Sequence, residues 1–286
     1  MANLKELRSR ITSVSSTMQI TSAMKMVSAA KLSKAQDAIT AMRPYSEKLT
    51  QLLQDLSASL SDDASSKYAE EREVEKVLMV AISSNRGLAG AFNTNIIKGV
   101  KNKVQKDFQN EKVDLYSIGK KANDILKRDF DVYENNNEIY DDLSFENVAE
   151  IAEELMQLFL EEKYDKIVLV YNQFKNAATQ IVTTEQFLPI EQFDNEENKQ
   201  LDYIYEPSKI EIVKELIPKS LKMQLYKALR DSFASEHGAR MTAMHKATEN
   251  ATELRDSLKL SYNKARQASI TNEILEIVGG AEALNG

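Results

Sequence analysis

The chain has 286 residues, and a content of 42% hydrophobic and 28% charged side chains is typical of a folded protein rather than a disordered one. The absence of cysteine excludes disulfides, thiolate metal sites, iron–sulfur clusters and a cysteine nucleophile. Because no run of about eighteen apolar residues occurs and the N-terminus lacks the short apolar core of an export signal, we expect neither a membrane-spanning helix nor secretion.

Charge is distributed unevenly along the chain. The formal net charge is −7, yet residues 1–36 contain six basic side chains against the single acidic Glu6. A basic end on an acidic body suggests that the end contacts an acidic partner, while the charge of the body favours solubility. With only eight glycines and four prolines, the composition favours long uninterrupted helices over a turn-rich β protein.

The first sixty residues carry a heptad pattern. Steps of three and four from Leu4 to Leu60 define a stripe of seventeen positions, of which thirteen are apolar. Such a stripe predicts a long helix that packs against a helical partner. Pro44 lies inside the pattern, where it is expected to kink the helix or restart it.

The stripe is polar over one short stretch, at Thr21, Lys25 and Ser28. A second apolar strip runs beside it through Ile20, Met24 and Val27. One interpretation is that the stripe drifts around the helix, as the 3.6-residue period permits. The other is that this stretch contacts a second partner on its other face.

The pattern changes from about residue 75 onward. Short, nearly continuous apolar runs at 76–82, 113–118 and 166–171 predict strands covered on both faces, and 180–187 predicts a further strand at the sheet edge. Helix-like stretches lie between them, at about 90–107, 120–129 and 145–163. Alternation of this kind predicts a small Rossmann-like α/β domain with a largely parallel sheet over 75–195. The asparagines at 135–137 are expected to form a polar loop.

The C-terminal part returns to helix. Pro207 and a capping box at Ser208 and Glu211 predict its start, and Pro218 predicts a kink or a fresh start. Its predicted seam follows Met244, Ala247, Ala251, Leu254, Leu258, Ser261, Ala265 and Ala268. The predicted fold class is therefore α plus α/β. An antiparallel coiled coil of an N-terminal helix (1–60) and a C-terminal helix (208–286) brackets the α/β insert.

Groups that carry chemistry are not assembled by the sequence. The turn Ser83–Gly90 follows a strand and precedes a helix, but its glycine spacing matches no phosphate loop, so a tight packing turn is preferred. His237 and His245 are about 12 Å apart along one helix, too far to share a metal, and are expected to be solvated. We predict no catalytic residue, no metal site and no cofactor.

Three functions remain open on composition and periodicity. The coiled coil could transmit force or position to partners as a mechanical element. It could instead grip clients as a clamp or chaperone-like scaffold. In the third hypothesis the α/β insert is an enzyme and the helices only oligomerise, and the missing phosphate loop counts against it.

Several separated segments resemble the gamma subunit of bacterial F-type ATP synthases. They include Thr17–Leu32, the Arg43-Pro-Tyr45 step, the turn Ser84-Asn-Arg-Gly-Leu-Ala-Gly90, and two C-terminal runs, 234–251 and 262–281. The likeness extends in order over the whole chain. Asn85, Ala89 and Gly238 depart from the family pattern, and Gly238 is expected to cost about 1 kcal/mol of helix propensity and to mark a flexible point.

The resemblance implies a non-catalytic rotor shaft. In that family the paired helices stand inside a ring of three alpha and three beta subunits, and the α/β foot rests on the membrane ring of c subunits beside epsilon. Ion-driven rotation then changes the nucleotide-binding states of the beta subunits. The implied location is peripheral, at the cytoplasmic face of the bacterial inner membrane, with no nucleic-acid partner.

The resemblance also implies which residues contact partners. Met24 and Lys25 match a motif that faces an acidic loop of beta. Arg266, Gln267 and Thr271 match positions that contact loops of the catalytic subunits higher in the cavity.

Two further contact regions are implied. One is an apolar tip that turns inside an apolar sleeve of the ring. The tip consists of Ile270, Ile274, Leu275, Ile277 and Val278. The other is a foot segment that meets the loops of the c-ring, at Tyr203, Tyr205 and Glu206.

Overall fold

A computed structural model describes residues 4–57, 66–190 and 209–285. The chain divides into two compact units. The helix-pair unit comprises residues 1–28 and 241–286, and the sheet unit comprises residues 29–240.

Two long helices dominate the described chain. Helix α1 runs over Leu4–Ser57 and helix α6 over Lys209–Asn285, with the short helix α2 at Ser66–Ala69. Pro44 lies inside α1 and Pro218 inside α6. Neither proline restarts its helix, because the helical assignment continues on both sides of each.

The helix-pair unit is an antiparallel pair, as predicted. Side-chain contacts join Met18 to Thr252, Thr21 to Thr248, and Lys25 to His245. Residue numbers rise along α1 as they fall along α6, and the sum of each pair is nearly constant. The two helices therefore keep one register over 18–25 and 245–252.

The α1 stripe continues through its polar stretch. Thr21 and Ser28 are both buried, and Lys25 is half-buried. The hydroxyl of Ser28 donates to the carbonyl of Met24 at 2.8 Å, which satisfies it within its own helix. The interpretation that the stripe drifts around the helix is therefore wrong, because the polar residues keep the seam positions.

The sheet unit contains five strands. They are β1 Lys76–Ile82, β2 Lys112–Ile118, β3 Asp131–Asn136, β4 Lys166–Phe174 and β5 Gln180–Leu188. Their order is β3-β2-β1-β4-β5, with β5 antiparallel to β4 and the other pairs parallel. Four of these strands match the predicted runs.

Helices cover both faces of the sheet. Helices α3 Phe92–Asp107 and α4 Lys120–Leu126 pack on one face, against Val77, Met79 and Ala81. Helix α5 Phe145–Leu160 and the 217–229 stretch of α6 pack on the other, against Leu78, Val80 and Ile82. Successive residues of β1 thus point to opposite cores, which is why the strand is apolar at nearly every position.

Strand β3 is the element that the sequence prediction missed. The sequence predicts a polar loop at 135–137, yet Asn135 and Asn136 belong to β3 and pair with Ser117 and Ile118 of β2. Only Val132 and Tyr133 are apolar in this strand, because it lies at the sheet edge. An edge strand with few apolar side chains gives almost no periodic signal.

Candidate functional site

The seam of α6 differs from the predicted one at alternate positions. Its inward-facing residues are Met244, Thr248, Ala251, Arg255, Leu258, Tyr262, Ala265 and Ser269, all buried or half-buried. Leu254, expected in the seam, is 51% exposed, and Ser261 and Ala268 are also exposed. The prediction chose the more apolar of two neighbouring stripes, whereas the helix buries the more polar one.

Polar side chains meet across this seam. The hydroxyl oxygens of Thr21 and Thr248 lie 2.8 Å apart. The sulfur of Met18 accepts from Thr252 Oγ1 at 3.4 Å and from Arg255 Nη1 at 3.5 Å. A sequence scan that rewards apolar seams cannot find these residues, and a search for facing hydroxyl pairs could have done so.

Lys25 lies beside a histidine of the opposite helix. Its Nζ is 3.4 Å from Nδ1 of His245, and Nε2 of the same ring is 3.5 Å from Oε1 of Glu249. Because an ammonium group can only donate, Lys25 Nζ is the donor in any hydrogen bond with Nδ1. Lys25 is half-buried, and the preceding Met24 is half-buried as well.

The second apolar strip of α1 is open to solvent in this unit. Ile20 is 60% exposed and Val27 58% exposed, and the neighbouring Met26 is also exposed. Ile20 and Val27 are seven residues apart and share one face of α1, about 150° around the helix from Lys25. Exposed apolar side chains clustered on one face are what a protein contact surface presents.

The residues of the C-terminal motif lie far from Lys25 along the helix. Arg266, Gln267 and Thr271 are all exposed, and Thr271 Oγ1 donates to the carbonyl of Gln267 at 2.9 Å. At about 1.5 Å per residue, Arg266 is roughly 30 Å along the axis from His245. The structure therefore does not bring the two groups into one site.

The last turns of α6 carry a cluster of exposed apolar side chains. They are Ile270, Ile274, Leu275, Ile277 and Val278. The register places Leu4 level with Ala265, so no described residue of α1 lies alongside this tip. Ten of the fifteen large exposed hydrophobic residues in the described chain belong to the helix-pair unit. This unit therefore has far more uncovered apolar surface than its size would give it.

The predicted foot residues Tyr203, Tyr205 and Glu206 lie outside the described residues.

The turn after β1 is closed by its own hydrogen bonds. Ser84 donates its backbone N–H to Asn93 Oδ1 at 3.0 Å and its hydroxyl to the carbonyl of Arg86 at 2.7 Å. Asn85 donates to the carbonyl of Asn137 at 2.8 Å and accepts from the N–H of Lys120 at 3.1 Å. In a phosphate loop, backbone N–H groups point at the bound anion, whereas here the N–H of Ser84 bonds to Asn93. This supports the interpretation of the segment as a packing turn.

A buried charged pair lies against this turn. Arg240 pairs with Glu236 at 2.5 Å and donates to the carbonyls of Arg86 and Gly87 at 3.1 and 3.2 Å. Burial raises the pKa of the Glu236 carboxyl, and the neighbouring Arg240 opposes that shift. The pair thus joins α6 to the backbone of this turn through two hydrogen bonds from the Arg240 guanidinium.

The expectation that His237 is solvated is wrong. His237 is only 5% exposed, and neither nitrogen of its ring has a hydrogen-bond partner among the described residues. The ring packs edge-on against Phe233 at 4.5 Å between centroids. Burial, with contributions from Arg240 and Lys31, lowers the pKa of His237 to about 4. The imidazole is buried because α6 is enclosed on nearly every side over 231–240. His245, in contrast, has half of its side chain exposed, as expected.

Gly238 has a packing role. A Cβ atom at this position would lie 3.2 Å from both Cα and the carbonyl oxygen of Ala177. The glycine allows the helix to approach the loop between β4 and β5 closely. Close approach, rather than a flexible point, explains this residue.

The described residues offer neither a metal-binding cluster nor a membrane-spanning helix. No group of three or more His, Cys, Asp or Glu side chains in the part of the chain that the structure describes could hold a metal ion. No helix over the same residues has the length and apolarity that crossing a bilayer requires.

The family model described as ATP synthase matches residues 3–284. A protein named ATP synthase gamma chain from Christiangramia forsetii is 85% identical over 286 residues, which is the whole of both chains. The protein of the same name from Flavobacterium johnsoniae is 69% identical, again over the whole of both chains.

Solved structures share the fold. A chain from the Euglena gracilis mitochondrial ATP synthase, in a structure of OSCP, F1 and the c-ring, is 23% identical with a TM-score of 0.73. The match covers 98% of this chain and 94% of that one. A chain from the rotor of the same organism's enzyme has a TM-score of 0.69 and 23% identity, covering 93% and 98%. By its full-length match to the family model and to these relatives, the chain belongs to the ATP synthase gamma chain family.

Proposed function

We propose that this chain is the central rotor shaft of an F-type ATP synthase. It couples ion-driven rotation of the membrane c-ring to conformational changes in the catalytic ring of alpha and beta subunits. Family membership favours the shaft over the clamp or scaffold that periodicity left open. Its partners are then the alpha and beta subunits, the epsilon subunit and the c-ring.

One structural observation carries the proposal. The helix-pair unit is a two-helix rod whose own chain leaves ten large apolar side chains exposed. A rod of this kind cannot cover its apolar surface by itself, so it needs a surrounding partner. Apolar contacts are non-directional, and a rod can turn against them without breaking a fixed set of hydrogen bonds.

The surface around Lys25 would meet an acidic loop of beta. Over residues 4–28 there are four basic side chains against the single acidic Glu6. On another face of the same stretch, the exposed Ile20 and Val27 supply apolar contact area. Electrostatic attraction would orient the shaft, and these apolar side chains would contribute contact energy.

Two further contact zones would lie along α6. Arg266, Gln267 and Thr271 would bind loops of the catalytic subunits where the paired helices give way to the single tip. Ile274 and its apolar neighbours would turn inside the upper sleeve of the ring. The spacing of roughly 30 Å between Lys25 and Arg266 along the rod would let the shaft act on a catalytic subunit at two levels.

The foot would connect the shaft to the membrane ring. We assign Tyr203, Tyr205 and Glu206 to the contact with the c-ring, on the family motif alone. The protein would then be peripheral, at the cytoplasmic face of the bacterial inner membrane and attached through the complex. The chemistry of ATP would belong to the beta subunits, so the shaft would need no nucleophile, metal or cofactor of its own.

Truncation of the tip tests this function. The chain ending before Ile274 would be co-expressed with its alpha and beta subunits, beside the full chain. We expect the full chain to co-purify with two ATP-binding subunits, each in threefold excess, and the shortened chain to assemble more weakly or to transmit less torque. The sheet unit should keep its hydrogen-exchange protection over 76–188. Normal assembly and torque without the tip would contradict its assignment as a bearing surface.

A further inference from the structure

The two helices of the helix-pair unit can meet in more than one rotational phase. One possible stripe on α6 includes Leu254, Ser261 and Ala268, and another includes Arg255, Tyr262 and Ser269, and the centres of the two stripes lie about 50° apart around the helix. Both stripes share Met244, Ala251, Leu258 and Ala265. The structure buries the second stripe and leaves Leu254 51% exposed, although hydrophobicity alone favours the first.

A hydrogen bond across the seam distinguishes these two phases. Thr21 lies on α1 with only 9% of its surface exposed, and its hydroxyl oxygen is 2.8 Å from that of Thr248. Thr248 belongs only to the buried stripe. If α6 rolled to bury Leu254, Thr248 would leave the seam and this bond would break.

The hydroxyl protons available allow the bond in the observed phase. Thr248 Oγ1 is 2.8 Å from the carbonyl of Met244, and Thr21 Oγ1 is 3.1 Å from the carbonyl of Met18. Two hydroxyl protons therefore serve three contacts. If Thr248 donates to Met244 and Thr21 donates to Thr248, both 2.8 Å contacts are filled, and only the longest contact is left without a proton.

We propose that Thr21 and Thr248 are positioning residues that set the rotational phase of α6 against α1. A polar pair in an otherwise apolar seam is a known means of specifying one helix arrangement among several of similar stability. The contacts of Met18 sulfur with Thr252 and Arg255 favour the same phase, because both donors lie on or beside the buried stripe. The consequence is that Leu254 and Ser261 face outward.

The Thr21–Thr248 pair would set the phase of the two helices whatever protein surrounds them. Its consequence for coupling rests on the proposed function, because the phase decides which side chains a shaft presents to its ring. The test therefore uses the isolated full chain, so that it can fail or succeed independently of any partner.

The absence of cysteine makes thiol labelling a clean measurement. One reporter is Ser261→Cys, which is exposed in the observed phase and would enter the seam in the other. The second is Ala251→Cys, which lies in the seam in both phases and is buried here. The alkylation rate of each reporter is measured in the parent chain and in the Thr21→Val, Thr248→Val double variant, in which valine keeps the shape of threonine but not its hydroxyl.

Loss of one typical hydrogen bond changes the equilibrium constant between the two phases by about fivefold, which takes a chain that is mostly in the observed phase to nearly equal populations. We therefore expect the double variant to slow alkylation of the Ser261→Cys reporter by about twofold, with Ala251→Cys still protected. Thr21→Ser with Thr248→Ser, which restores both hydroxyls, should return the parental rate. The matched control is Thr17→Val, because Thr17 is exposed on α1 and bonds only to its own helix at Ser13. If double-valine chains prove poorly folded by circular dichroism, Thr248→Val alone is measured.

Two results would overturn the proposal. Unchanged labelling of the Ser261→Cys reporter in the valine variants would mean that the hydroxyl pair does not set the phase. Faster labelling of the Ala251→Cys reporter would mean that the pair holds the helices together rather than choosing between two arrangements.

Discussion

Gly119 lies so close to Ser83 that a Cβ atom on the glycine would stand 2.1 Å from the Ser83 carbonyl oxygen. The glycine also has a backbone φ angle of 95°, which residues with a Cβ atom rarely adopt. It follows β2 directly, and its own N–H donates to the carbonyl of Asn136. This contact sets the junction of the β1 and β2 ends.

Gly119→Ala should therefore destabilise the protein by about 3 kcal/mol or more, from backbone strain and steric overlap together. Urea unfolding measured by circular dichroism gives the value. The control is Gly87→Ala, since a Cβ at Gly87 would meet no atom within 4 Å. Equal losses for the two variants would mean that the contact with Ser83 is not responsible.

His237 should make stability depend on pH in the acid range. Its pKa is lowered to about 4 in the folded chain, below its ordinary value of 6.5, mainly by burial. The folded state resists a proton that the unfolded chain accepts, so stability is fully present above pH 6.5 and is lost as the pH falls toward 4. Between pH 7.5 and pH 5 we expect a loss of about 2 kcal/mol from this group.

The His237→Phe variant tests that expectation, because it keeps an aromatic ring and removes the titrating group. Its free energy of unfolding should fall less than that of the parent chain over the same pH interval. His245→Gln removes the other of the two histidines and is the matched control. A parental pH slope in His237→Phe would assign the loss to other groups.

Asp231 should act in the opposite direction. Burial raises the pKa of this carboxyl from 3.8 to about 6, with Glu185 adding to the shift and Lys227 and Arg43 opposing it. Its charge is therefore unfavourable in the folded state, and its cost grows as the pH rises from about 4 through 6. Asp231→Asn should gain about 1 kcal/mol relative to the parent chain between pH 5 and pH 7.5. A constant difference across this interval would show that Asp231 does not titrate there.

Lys25→Glu should uncouple the complex without unfolding the chain. The side chain is half-buried and meets His245 at the unit's surface, so its reversal should change the free energy of unfolding by no more than about 1 kcal/mol. In the reconstituted complex, ions pumped per ATP hydrolysed should fall by about threefold or more, because the proposed attraction between Lys25 and an acidic loop of beta would become a repulsion. Lys259→Glu, an exposed lysine on α6, is the matched control. Normal coupling combined with a large loss of stability would make Lys25 a packing residue.

The sequence predicted those parts of the fold whose side chains have one dominant environment. Every residue of Val77–Ile82 in β1 is fully buried, so its apolar run was unambiguous. The edge strand β3 was missed because half of its surface faces away from the cores. At Leu254 and Arg255 the prediction failed for another reason, since pairing across the seam, rather than hydrophobicity, selects the buried stripe.

The residues proposed to contact partners could be predicted from the family motif, but not from hydrophobic periodicity or charge pattern. Arg266 and Gln267 are exposed polar residues that bond to nothing outside their own helix among the described contacts, so their chemistry resembles that of any solvated helix face. His237 was misjudged because a polar residue on a long helix is usually solvated. Only the enclosure of α6 over 231–240 makes it buried, and that enclosure depends on contacts distant in sequence.

Direct observation of rotation tests the central claim. A single cysteine at an exposed position of the sheet unit, such as Lys106→Cys, would carry a probe on a complex of this chain with its alpha and beta subunits fixed to a surface. We expect the probe to turn in one direction during ATP hydrolysis and to pause three times in each turn, once for each catalytic subunit. A probe that stays still while the complex hydrolyses ATP at its full rate would contradict the account of this chain as the shaft.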